Sequence, residues 1–137
     1  MTEAFEISGV PSEGGVLIVV DHASSHIPDD IDLGISQQYT TDHIAYDLGI
    51  APIARLMTEH GGYLAILSTA SRLIVDLNRY PDEAAVIVER SDGVEIPGNH
   101  LPGEDRQDRL GRFFTPLLLD TTDAADDLPS ATCGGHL

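Results

Sequence analysis

Gly15-Val-Leu-Ile-Val-Val-Asp-His-Ala-Ser-Ser-His-Ile-Pro28 decides the fold, because an aliphatic run stops abruptly in residues that can bind a metal. Val16 to Val20 form an unbroken β-branched and aliphatic segment, which predicts a strand buried on both faces of a parallel or mixed sheet. Asp21, His22, Ser24, Ser25 and His26 follow at its carboxyl end. Open α/β sheets bind ligands in the crevice beyond the carboxyl ends of their strands, so this is where chemistry is expected.

Outward from that strand, residues 1 to 14 end in the turn-rich Pro11-Ser-Glu-Gly-Gly15, and Asp29 to Tyr39 reads as a loop. Thr40-Thr-Asp42 can cap a helix in which Ile44, Leu48, Ile53, Ala54 and Met57 recur at helical spacing. Pro52 predicts a kink or break near Gly49 to Ala51, and His60-Gly-Gly62 predicts the stop. Tyr63 to Leu67 and Arg72 to Val75 read as two further strands. Strand, helix and strand in this order make the fold class α/β, a mixed or parallel central sheet flanked by helices.

Ala84 to Val88 fits either a strand or a helical turn, and Ser91 to Asn99 a structured loop. Glu104 to Leu119 reads as a helix, with Leu110, Phe113, Phe114, Leu117 and Leu118 on one side, Arg106, Asp108 and Arg109 on the other, and Pro116 an awkward member. From Asp120 to Leu137 apolar periodicity is lost and a disordered tail is expected.

The chain has 137 residues, a length that suits one domain with its own core. Its formal charge of −16, from 23 acidic and 7 basic residues, excludes nucleic acid and anionic membrane as partners. A single cysteine, Cys133, excludes an internal disulfide framework and suits a reducing compartment. No leader pattern is visible, and no apolar run approaches the roughly 18 residues of a membrane span, so a cytoplasmic protein is expected.

Three constellations carry chemistry. His22 ends the first strand, where an imidazole can ligate zinc; the competing reading is a surface histidine. His43 and Asp47 stand four apart on the predicted helix and so share a face, either for a metal or as a helix-stabilising contact. Ser71-Arg-Leu-Ile-Val-Asp-Leu-Asn-Arg79 delivers Asp76, Asn78 and Arg79 together, where arginine and asparagine suit a substrate carboxylate. An Asp76 to Arg79 ion pair is the structural alternative.

Together, Asp21 to Pro28, His43 to Gly49, Ser71 to Arg79 and Ser91 to Asn99 resemble, in order and spacing, the N-formylglutamate amidohydrolase family. The resemblance covers roughly Val16 to Pro116. It implies a zinc-carboxypeptidase-like (phosphorylase/hydrolase-like) fold, a Zn²⁺ cofactor, a role in histidine degradation, and hydrolysis of N-formyl-L-glutamate or a related N-acyl amino acid. In that reading His22 is a metal ligand, and Asn78 and Arg79 bind the substrate carboxylate, with Arg72 and Asn99 as further substrate contacts. Related acylases carry a glutamate ligand three residues after the first histidine, where Ser25 stands here. Asp47 is the substitute ligand, and either Asp47 or Asp76 is the carboxylate that shuttles the proton. Family members continue well beyond this length, and the family likeness fades at Leu117 and Leu118. The expectation is therefore residues 1–119 as the N-terminal part of an amidohydrolase domain, with the C-terminal part missing, and residues 120–137 as a tail outside the family. The alternative is an inactive remnant that at most binds an acidic amino acid.

Overall fold

The structure, a computed structural model, describes residues 3–10 and 15–126. Three strands form the central sheet: β1 (Phe5–Ser8), β2 (Leu17–Val20) and β3 (Leu64–Ser68), in the order β1-β3-β2. β1 runs antiparallel to β3, with Phe5 opposite Ser68, whereas β2 runs parallel to it, with Leu17 opposite Leu64 and Val20 opposite Leu67. The mixed α/β sheet expected from the sequence is therefore present.

β3 is the strand that is buried throughout, all five of its residues lying out of solvent. β2, expected to be covered on both faces, is instead an edge among the described residues, and Val16 and Val19 remain exposed. Its aliphatic content reads the same in either position, which is why the sequence does not separate them.

Between β2 and β3 the chain crosses through α1 (Gln37–Thr40) and α2 (Ile50–Gly61). The helix expected from Thr40 onward starts only at Ile50, with Gly49 as its N-cap at φ 83°. Asp42 to Asp47 form turns instead, closed by Ala45 N–H donating to the Asp42 carbonyl. Pro52 then falls in the first turn of α2, where a missing N–H costs no hydrogen bond, so it marks the helix start and no kink is needed. Gly62, left-handed at φ 68°, ends α2 where the glycine pair predicts. Ala51 and Ala54 face the sheet and pack with Val20, Ala65 and Leu67.

The second expected strand, Arg72 to Val75, is a buried turn. Ser71 organises it: its hydroxyl accepts from Leu73 N–H at 3.2 Å, and its carbonyl accepts from Ile74 N–H at 2.9 Å. Leu73, Ile74 and Val75 are all buried, so this apolar triplet fills a core without alternating across a sheet. Around it pack Leu33, Ile44, Ala45, Val86, Ile87 and Ile96.

A 3₁₀ turn (Ala84–Val86), a hairpin of β4 (Arg90–Ser91) and β5 (Val94–Glu95), and a second 3₁₀ turn (Pro97–Asn99) lead into α3 (Gly103–Asp126). α3 carries Pro116 internally and buries Leu110, Phe113 and Leu117. Leu118 is exposed and Arg109 buried, both against the amphipathic reading of this helix. The helix also runs through Asp126, past the expected break at Asp120; residues 127–137, with Cys133, lie outside the described residues. Among the described residues no helix is long and apolar enough to cross a membrane.

Candidate active site

Three segments distant in sequence meet at the carboxyl end of β2. The strand delivers Asp21 and His22, the Asp42 to Asp47 turn delivers Asp47, and the Ser71 turn delivers Arg72 and Asp76. Backbone hydrogen bonds fix their relation: Asp47 N–H donates to the His22 carbonyl at 3.0 Å, and Arg72 N–H donates to the Ala45 carbonyl at 3.1 Å. The Ser71 hydroxyl also donates to Ala45, at 2.8 Å. The buried turn that replaces the expected strand is thus what brings Arg72 and Asp76 to His22.

His22 is 8% exposed and Asp76 is 1% exposed. The imidazole Nε2 lies 2.7 Å from Asp76 Oδ1, and Nδ1 lies 3.5 Å from Asp47 Oδ2. Asp76 Oδ2 accepts from Arg72 at 2.8 Å, and Oδ1 also accepts from Asn78 N–H at 3.1 Å. Burial pushes the Asp76 carboxyl up, but hydrogen bonding and charge from His22, the Arg72 guanidinium and the Asn78 amide together hold it below the usual carboxylate range. It is an anion locked among donors. Asp21, beside it, is pushed up by burial and by the negative charges of Asp76 and Asp47, against the pull of His22.

A cavity of about 300 Å³ opens beside this cluster. Asp21, His22, Asp47 and Asn78 form its polar end, and Ile18, Val20, Ile50, Ile53 and Met57 its apolar wall. The sequence places Asp21 at the strand end beside His22 without giving it a role of its own, and it carries no signal for the α2 part of the apolar wall, which depends on the helix register.

Arg79 is half exposed, with Nε 3.9 Å from Asp76 Oδ2, whereas His22 meets the other oxygen of that carboxylate; Arg79 does not itself line the cavity. Asn99 does not join them. It is buried at 3% exposure; its amide nitrogen donates to the carbonyls of Leu73 and Val88, and its oxygen accepts from Arg109. Both N–H bonds are committed to the fold, which leaves none for a substrate. His43 also departs from its expected pairing with Asp47: with no helix there, its ring contacts Asp42 at 2.8 Å and Asp92 at 3.1 Å on the surface. Those carboxylates, Asp42 first, raise its pKa above the ordinary histidine value.

Two groups here could hold a metal. With Nε2–H donating to Asp76, Nδ1 of His22 is directed at the Asp47 carboxylate 3.5 Å away, a separation that either a proton on Nδ1 or a cation between the two would satisfy. A histidine whose far nitrogen is held by a carboxylate is the usual arrangement of a zinc ligand. Among the described residues, no set of three or more His, Cys, Asp or Glu side chains surrounds one point, so His22 and Asp47 make up an incomplete set.

The profile of the N-formylglutamate amidohydrolase family matches residues 14–126. The crystal structure of gene product Atu2144 from Agrobacterium tumefaciens superposes with a TM-score of 0.87 at 29% identity, covering 92% of this chain and 51% of that one. The chain therefore spans about half the length of that relative. No curated protein matches it.

Proposed function

Because the chain belongs to the N-formylglutamate amidohydrolase family, we propose that it contributes to metal-assisted hydrolysis of an N-acyl amino acid, N-formyl-L-glutamate giving formate and L-glutamate. The observation that carries this reading is the buried His22 to Asp76 pair, which aims Nδ1 at Asp47 on the wall of a cavity. His22 and Asp47 are the candidate ligands. A zinc ion held by them would supply Lewis-acid polarisation of the acyl carbonyl and activation of water.

The remaining work falls to this chain's own groups. Asp76 has both oxygens engaged, so it orients His22 and leaves the proton to Asp47, whose carboxylate is half exposed on the cavity. Asn78 lines the cavity and Arg79 follows it in the chain, half exposed; together they would hold the carboxylates of the glutamate moiety and so align the scissile amide.

Formate release from N-formyl-L-glutamate, measured with and without added zinc, tests the reading directly. Zinc-dependent turnover is expected. Glutamate binding without metal uptake or turnover would instead identify a non-catalytic binding module. Arg79→Ala should raise KM for dicarboxylate substrates while sparing neutral analogues. Since Arg79 is half exposed, solvent screening limits the loss in kcat/KM to roughly tenfold. An equal loss on neutral analogues would remove Arg79 from substrate binding.

A further inference from the structure

Arg72 does not line the cavity, and its guanidinium is turned to two carboxylates of the site. Its NH2 donates to Asp76 Oδ2 at 2.8 Å, and its NH1 stands 4.0 Å from Asp47 Oδ1. The same two carboxylates present their other oxygens to His22, Asp76 Oδ1 to Nε2 and Asp47 Oδ2 to Nδ1. The four side chains therefore close a ring in which two carboxylates alternate with a guanidinium and an imidazole.

We propose that Arg72 is a positioning residue, whose forked guanidinium sets the spacing of Asp47 and Asp76 and so presents His22 Nδ1 and the Asp47 carboxylate to one point. This rests on the metal-assisted reading above, and it removes Arg72 from the substrate contacts. The fork is what the task needs. A guanidinium spreads its N–H donors and its charge over a fixed plane, so one arm hydrogen-bonds Asp76 while the other stands in ion-pair range of Asp47, whereas a lysine ammonium is a single point charge. Arg72 is also held from below, since its own N–H donates to Ala45 two residues before Asp47. Backbone and side chain of one residue thus fix the same turn. Arg79 cannot take over, because its closest approach is 3.9 Å, to the oxygen Arg72 already holds.

Arg72→Gln and Arg72→Lys, each compared with the parent for zinc affinity by competition with a chromophoric chelator, test the idea. Arg72→Gln should weaken zinc binding ten- to hundredfold, the range for residues that orient metal ligands, with kcat reduced and KM changed less than about twofold. Arg72→Lys should recover only part of the affinity. Heteronuclear NMR of the His22 ring in metal-free protein adds a readout independent of the metal. The parent should show the proton on Nε2, and Arg72→Gln should lose that single tautomer. A raised KM with zinc affinity and the tautomer unchanged would overturn the proposal and return Arg72 to the substrate. A parent that binds no zinc would instead sink the metal-assisted reading, and the tautomer comparison would still decide the role of Arg72.

Discussion

On the proposed metal-assisted reading, His22→Ala is expected to abolish zinc binding and, with it, any zinc-dependent formate release. The argument is geometric. Nδ1 faces the Asp47 carboxylate at 3.5 Å, and its direction is fixed by the 2.7 Å contact of Nε2 with Asp76, a carboxylate that, against its burial, His22, Arg72 and the Asn78 amide hold ionised. Removing the ring leaves Asp47, a half-exposed carboxylate, as the remaining candidate ligand, and one exposed carboxylate does not hold zinc. Folding should survive. Asp76 keeps the Arg72 and Asn78 donors, so the loss is that of one hydrogen bond and some packing, about 1–2 kcal/mol. Elemental analysis of the purified variant, with circular dichroism to confirm the fold, checks both halves. Unchanged zinc content in a folded variant would dismiss His22 as a ligand.

How far the sequence discloses this site depends on which physical signal each residue carries. Val16 to Val20 is legible because a run of β-branched residues has one main reading, and its sudden end points to Asp21 and His22. The α2 stop at Gly62 is equally plain, since glycine fills the left-handed position. Leu73, Ile74 and Val75 mislead because apolarity signals burial, and burial does not require a strand. The strand fails because Ser71 closes a turn with its own hydroxyl and carbonyl. The helix expected at Asp42 fails for a related reason: the carbonyl of Ala45 is taken by Ser71 and Arg72, tertiary partners that no local pattern announces. His22 and Asp76 stand 54 residues apart, and nothing in spacing or periodicity joins them. Only the combined resemblance of four blocks grouped these residues, and it grouped Asn99 with them as well.

Asn99 therefore gives the sharpest separation between a residue that binds substrate and one that builds the fold. Asn99→Leu, which keeps the number and branching of side-chain heavy atoms but is larger and loses both polar ones, should destabilise the protein by roughly 3–5 kcal/mol, from about 1–3 kcal/mol for each buried polar group left without its partner. Three groups are orphaned at once: the carbonyls of Leu73 and Val88, and a guanidinium N–H of Arg109. Arg109 matters most. It is itself 8% exposed, burial already works against its charge, and without the asparagine it keeps the Gly98 carbonyl at 3.5 Å and the charge of Asp105. The Leu73 carbonyl belongs to the turn that presents Arg72 and Asp76, so loss of the amide should loosen the site from behind as well as weaken the core. Chemical denaturation measures the first effect, and the rate at saturating substrate in the residual folded protein measures the second. A variant of parental stability with a raised KM would reverse the assignment and place the Asn99 amide on the substrate.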